Sequence, residues 1–444
     1  MTEPEVEDPP SLLESLTPVA ADWVAGEAAE ARLAGWGAAT GGLGGFLRWV
    51  GSVREASEPF RRVRLVVFAA DHGVTDGAAA AHALLAGEGP LPLLARRADV
   101  SIRLVDAGLA GDPLPGDLSA RRVLAGSPAV DPLTPEQVEA ALDLGAQVAD
   151  EEVDGGADLV VPAVLTESAI VPATVLIGAL CEVEPVKALG YDPYVPDAVW
   201  IERCAAIRDG MHRVSVAAAT LATRRLLAVG GGADLAATAG FLVRTAARRT
   251  PALLDGVGPA AAALVARALA LDARTWWCAP HVSGGAGERQ AFGELGLAPV
   301  VDLGVRLGDG AGALLALPVL SAAMELAAAA PERVVPVVEP VVVEVHVDEG
   351  DQIGGVGGYD AGARGPEPEE ALAESPAEAP PEPEGNPAGA AGAAGAAGAA
   401  GAAGAAGAAG PVNPGSPDRT ATPDGTATPD GTGAPDGTGA PAGG

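Results

Sequence analysis

Val63-Arg64-Leu65-Val66-Val67-Phe68-Ala69-Ala70, followed at once by Asp71-His72-Gly73, decides the fold of this 444-residue chain. The run is apolar and rich in β-branched residues. A run of that length, ended by turn-forming residues, reads as a strand buried on both faces, as in a parallel sheet. It delivers polar side chains only at its C-terminal end. The pattern recurs at Ser101 to Asp106 and begins again at Asp158 to Val161. Ala252 to Asp255 and Pro299 to Leu303 look like two more copies. Helix-compatible spacing lies between and before them, at Ala28 to Trp36, Phe46 to Val53, Pro135 to Val148 and Leu235 to Arg248. Alternation of this kind predicts an α/β domain with a mostly parallel sheet flanked by helices. Ligands of such sheets bind beyond the carboxyl ends of the strands. Asp71, Asp106, Asp255 and Asp302 sit at ends of this kind, and each reads equally well as a helix N-cap.

Composition sets the limits. Residues 1–331 carry 41 acidic and 24 basic side chains, and the whole chain has a net charge of −32. Such a surface repels nucleic acid, whose affinity for proteins comes largely from Lys and Arg on phosphate. It also disfavours anionic membranes. No stretch reaches the roughly 18 uninterrupted apolar residues of a membrane span, and the Ala-rich 259–271 reads as a buried helix. Cys181, Cys204 and Cys278 have no zinc-site spacing and no disulfide framework, which fits a reducing cytoplasm. The acidic, Pro-containing start is not a signal peptide. Residues 1–30 read as an acidic leader and 31–331 as the α/β domain. Residues 332–362 form a Val-rich extension interrupted by Pro336 and Pro340. Residues 363–444 form a low-complexity tail with a Gly-Ala-Ala repeat over 388–410. The tail has too few large apolar side chains to offset the entropy of ordering, so disorder is expected there. Its glycine spacing matches collagen, but the repeat lacks the necessary proline.

The chemistry concentrates in Val305-Arg306-Leu307-Gly308-Asp309-Gly310-Ala311, which sets one carboxylate between glycines just before the apolar run 314–320. Glycines permit a tight turn and close approach of a ligand, and a carboxylate held there can act as a general base. Arg306-Leu307-Gly308-Asp309-Gly310 resembles the RLGEG motif of the nicotinate-nucleotide–dimethylbenzimidazole phosphoribosyltransferases. Four further segments are similar to that family's motifs, in the family's order. Val66 to Val74 resembles VVFAGDHGV, and Gly231 to Ala237 resembles GGADLAAM. Arg249 to Gly256 resembles RTPVILDG, and His281 to Gly287 resembles H-x-S-x-E-P-G. The resemblance runs from about Leu33 to Pro331. It implies a Rossmann-like sheet with a smaller helical domain built from the chain ends, and a homodimer.

It also implies a reaction. Phosphoribose passes from nicotinate mononucleotide to 5,6-dimethylbenzimidazole with inversion, giving α-ribazole 5′-phosphate and nicotinate in cobalamin nucleotide-loop assembly. No metal and no redox cofactor is expected. Asp309 stands where the family has its catalytic Glu, and Asp71, His72, Gly231, Gly232, Ser283, Gly308 and Gly310 are the expected substrate-binding residues.

Several ligand-bearing segments depart from the family's pattern. Residues 75–82 are short and Ala-rich where the family forms its benzimidazole pocket. Residues 163–171 lack the glycines of the family's phosphate loop, and Glu167 adds a negative charge there. In 188–197 the arginine of TGRG is gone, and Gly285 replaces the glutamate of SAEPG. A non-catalytic or substrate-shifted paralogue that binds a nucleotide or a partner subunit is therefore the second reading. Other chemistries are weaker. Asp71, His72 and His281 match no metal-ligand spacing. Gly230-Gly231-Gly232 lacks both GxGxxG and a P-loop lysine. Ser283 lacks the GxSxG elbow. Trp276-Trp277 reads as core or dimer interface.

Overall fold

The computed structural model describes residues 17–36, 41–72, 77–110, 114, 133–220, 222–308 and 310–331. Residues 73–76, Asp309 and everything from 332 onward, including the Val-rich extension and the tail, lie outside the described residues, as does most of the acidic leader.

The central sheet has five parallel strands in the order β2-β1-β3-β4-β5. β1 is Val63–Ala70, β2 Ser101–Gly108 and β3 Leu159–Val164, while β4 (Ala252–Leu253) and β5 (Trp277–Cys278) are two residues each. β1 is an interior strand between β2 and β3, and its last six residues are buried. Side chains alternate along it, as the two-residue period of a strand requires. Val66, Phe68 and Ala70 enter one core, and Leu65, Val67 and Ala69 enter the other. The expected strand at Pro299 to Leu303 does not form. Only Val301 makes a single bridge, to His281. The fifth strand is Trp277-Cys278 instead, so Trp277 is core, 1% exposed, with no part in an exposed surface.

One face of the sheet is covered by α5 (Pro135–Asp154), α6 (Thr166–Leu180), α10 (Ala233–Ala247) and α11 (Val257–Leu269). The last is the Ala-rich segment expected to be buried. α5 starts from a capping box, Thr134 with Gln137, and a proline at its first turn. α5 and α10 touch backbone to backbone. A Cβ on Gly145 would lie 1.8 Å from the carbonyl oxygen of Ala237, and one on Gly240 would lie 2.1 Å from that of Leu142. Arg244 of α10 and Arg248, the residue capping its C-terminus, clamp Asp150 of α5 at 2.7–2.8 Å.

The other face carries α1 (Trp23–Leu33), α2 (Gly41–Val53), α3 (Gly77–Leu85), α4 (Pro90–Arg97) and α13 (Ala311–Ala328). α1, α2 and α13 pack together, so helices from both ends of the folded region form one layer, as expected. α13 is long and apolar enough to span a membrane by length and composition, with a mean hydropathy of 1.7. Its buried residues share one core with Leu65, Val161 and Ala163 of the sheet, as those of a core helix do. Three more helices matter to the site: α7 (Pro185–Leu189), α8 (Asp197–Ala219) and α12 (Ala286–Leu295). A further helix, α9 (Thr223–Gly230), leads into α10.

Candidate active site

A cavity of about 250 Å³ opens beyond the carboxyl ends of β3, β4 and β5. One wall is α6, which presents Glu167, Ile170 and Thr174, spaced so that they share a face. A second wall comes from Leu189 to Asp192 with Trp200 and Arg203 of α8. The floor is Asp255-Gly256-Val257, and the remaining wall is Ser283 to Glu288 with Val305, Arg306 and Gly308. Tyr191 meets Trp200 edge to face, with ring centroids 6.0 Å apart. The Trp200 indole N–H is fixed by the Gly190 carbonyl at 2.6 Å. This side of the cavity offers flat apolar surface to a planar ring.

Beneath the floor, buried acids tie the wall segments together. Glu288, in the first turn of α12, is fully buried. One of its oxygens accepts the Gly256 N–H at 2.7 Å, and the other accepts the Ser283 N–H and hydroxyl at 2.6 and 2.5 Å. Burial pushes its carboxyl above the usual glutamate range. The Ser283 hydroxyl works against that shift, and the neighbouring Asp255 adds to it. Asp255 accepts the Nδ1–H of His281 at 3.1 Å and the N–H of Ala313 at 3.1 Å. The latter contact satisfies one of the free donors at the start of α13, which no local side chain caps. The N-cap of α13 is Gly310, whose left-handed backbone (φ 85°) suits glycine. Gly312 lies so close to the Asp255–His281 pair that a Cβ would be 2.3 Å from Nδ1. One hydrogen-bonded chain thus runs from Ser283 through Glu288 and the Asp255-Gly256 turn to the N-terminus of α13.

A second buried pair lies at the end of β1. His72 donates from Nε2 to the Asp234 carboxylate at 3.0 Å, and Asp234 is in the first turn of α10. Asp71 accepts the N–H groups of Gly77 and Ala110, which fixes the loops after β1 and β2. Burial opposes a charge on His72, but the Asp234 charge and hydrogen bond, with Asp71, raise its pKa above the usual value. Burial likewise opposes a charge on His281, and Asp255, Glu288 and Asp302 raise it. A histidine raised on folding stabilises the fold fully below its unfolded pKa of about 6.5, and the contribution is lost as pH climbs through the raised value. The raised Glu288 has the same sign. The melting temperature is therefore expected to fall between pH 6 and 9, and to fall less steeply in a His72→Gln variant. A wild-type melting temperature that is flat or rising over that range contradicts both assignments.

Of the residues expected from sequence to bind substrate, Ser283 and Gly308 line the cavity. Gly310 packs on the sheet just behind it. Asp71, His72, Gly231 and Gly232 gather at the end of β1 rather than on the cavity wall. Gly232 leaves room for the His72 ring, 2.1 Å from where a Cβ would be. Asp309 lies outside the described residues, between Gly308 and Gly310. Asp302 is exposed and paired with Arg289 at 3.0 Å, away from the cavity. The segment 163–171 is not a loop. β3 runs to Val164 and α6 begins at Thr166. Sequence reasoning missed Arg203, Trp200 and Glu288. The one available signal was the position of Glu288 three residues after the cap of α12, where a glutamate reaches back to preceding N–H groups. Among the described residues no cluster of three or more His, Cys, Asp or Glu is placed to hold a metal ion.

The fold and site define a class: a Rossmann-like α/β protein with a cavity at its strand ends, lined by an aromatic pair and by two arginines that each face a carboxylate. The model of a phosphoribosyltransferase family matches residues 20–332. The nicotinate-nucleotide–dimethylbenzimidazole phosphoribosyltransferase of Mycobacterium tuberculosis is 41% identical over 323 residues, covering 69% of this chain and 89% of the relative. That of Streptomyces coelicolor is 42% identical over 303 residues, covering 64% and 84%. The crystal structure of CobT from Thermus thermophilus superposes with a TM-score of 0.62 at 27% identity, covering 68% of this chain and 96% of that one. The chain belongs to this phosphoribosyltransferase family.

Proposed function

We propose that the chain transfers the phosphoribosyl group of nicotinate mononucleotide to 5,6-dimethylbenzimidazole, yielding α-ribazole 5′-phosphate and nicotinate for the nucleotide loop of cobalamin. The observation that carries this reading is the cavity itself. It lies at the strand ends of a fold shared with relatives of that name, and it joins a flat aromatic wall to arginines and buried acids. One ring nitrogen of the benzimidazole attacks C1′ of the ribose. The bond from C1′ to the pyridinium nitrogen breaks, and its electron pair leaves with nicotinate. The second ring nitrogen loses its proton to a carboxylate, for which Asp309 is the candidate.

What the described residues contribute is alignment. The network from Glu288 to Ala313 fixes the start of the helix that follows Asp309 in sequence. Holding two rings and a base in register supplies much of such a rate. The homodimer implied by the family and a cytoplasmic location belong to the same proposal. The test is release of nicotinate from the mononucleotide with and without the benzimidazole. Release that requires the base supports transfer. Equal release in both, or none at stoichiometric protein, overturns it.

A further inference from the structure

Two arginines line the cavity, and each faces a carboxylate that also lines it. Arg306 lies 3.2 Å from Asp192, and Arg203 donates to Glu167 at 2.6 Å. The two pairs differ in what can move. The Arg203 side chain is only 9% exposed, and its Nε has no hydrogen-bond partner among the described residues. The guanidinium is therefore held in place with donor capacity left over. The Glu167 side chain is 70% exposed and free to rotate into solvent. Glu167 also belongs to the first turn of α6, a fifteen-residue helix whose N-cap is Leu165 and which no side chain caps. That end of a helix carries partial positive charge and unsatisfied N–H groups, and so favours an anion. One corner of the cavity thus combines a fixed guanidinium with a helix N-terminus, and the chain's own carboxylate occupies it.

We propose that Glu167 is a displaceable stand-in for the phosphate of the substrate: the phosphate takes the Arg203 guanidinium beside the first turn of α6, and the Glu167 carboxylate swings out. The proposal rests on the reading that the substrate is a nucleoside monophosphate. It accounts for a segment that lacks the glycines of a phosphate loop, because the helix start and Arg203 supply the donors instead. A phosphate monoester carries about −1.5 to −2 charges at pH 7, so it and an inward Glu167 cannot share one guanidinium without strong repulsion. Arginine also matches phosphate with two parallel hydrogen bonds, which a single carboxylate oxygen does not use. Glu167 therefore competes with every phosphate-bearing ligand and with none that lacks the phosphate.

The experiment is calorimetric titration of the full-length protein with inorganic phosphate, nicotinate mononucleotide and nicotinate riboside. Wild type, Glu167→Gln, Arg203→Lys and Arg203→Gln are compared, with melting temperatures recorded for each. Glu167→Gln is expected to bind phosphate and the mononucleotide about 3- to 10-fold more tightly, and Arg203→Gln about 10- to 100-fold more weakly, from the usual worth of charged hydrogen bonds. Arg203→Lys is expected to fall between, and the riboside to bind all four proteins alike. Phosphate binding no tighter in Glu167→Gln than in wild type overturns the proposal. So does unchanged phosphate binding in either Arg203 variant. If Arg203→Gln fails to fold, the other two variants still decide. No turnover is needed, so a catalytically silent protein remains a fair test. Phosphate exchange that follows the prediction while riboside fails to bind wild type faults the substrate reading and leaves the exchange standing.

Discussion

Asp309→Ala is expected to lower the rate of transfer by about 10²- to 10⁴-fold, the usual worth of a positioned general base. The attacking ring must shed an N–H proton as its other nitrogen bonds to carbon, and alanine offers nothing to accept it. Asp309 is also one methylene shorter than the family's glutamate, which withdraws the carboxylate by roughly 1.5 Å. Misplacement of about 1 Å can cost on the order of 100-fold. Asp309→Glu is therefore expected to raise turnover with 5,6-dimethylbenzimidazole. The steady-state rate of product formation for wild type and both variants reads the two effects together. An alanine variant as active as wild type removes Asp309 from the mechanism. A glutamate variant slower than wild type means that the rest of the site has adapted to the shorter side chain.

Gly145→Val is expected to destabilise the protein by at least about 3 kcal/mol, at the upper end of overpacking effects. The position has no slack. A Cβ there would meet the Ala237 carbonyl oxygen at 1.8 Å and the Phe241 nitrogen at 2.7 Å, and both are helix backbone, which cannot rotate aside. Relief requires α10 to move off α5, which would break the Arg244 and Arg248 clamps on Asp150 and open the apolar layer between the helices and β1. For a domain of this size the melting temperature should fall by roughly 10 °C, from about 2–4 °C per kcal/mol. A valine variant that melts within a degree or two of wild type would show that this helix pair is far softer than its close contact implies.

The fold was legible where burial imposes a period. β1, β2 and β3 stand out because a strand covered on both faces must be apolar without interruption, and α5 and α10 because their apolar stripes are long. β4 falls within the expected strand Ala252 to Asp255, while β5 escaped because two residues carry no period. Pro299 to Leu303 looked like a strand from its apolar residues, yet only Val301 pairs. The site was legible where backbone geometry demands particular residues, as at Gly308 and Gly310 with their positive φ, and in the Ser283 loop. It was not legible where the role depends on a distant partner. Arg203 and Glu167 are 36 positions apart, and Asp255 meets Ala313 across 58. Glu167 in a glycine-free segment suggested repulsion of phosphate, because the sequence did not reveal the buried arginine opposite it. The aspartates at strand ends divide in the same way. Asp255 and Asp71 tie loops together from inside, whereas Asp302 faces solvent.

The central claim is that this cavity carries out phosphoribosyl transfer with inversion at C1′. Its most direct test is incubation of the full-length protein with nicotinate mononucleotide and 5,6-dimethylbenzimidazole, followed by chromatographic separation and determination of the anomeric configuration of the nucleotide formed. The account predicts α-ribazole 5′-phosphate in equal amount to the nicotinate released. A β-configured product, or no new nucleotide at stoichiometric protein, would contradict it.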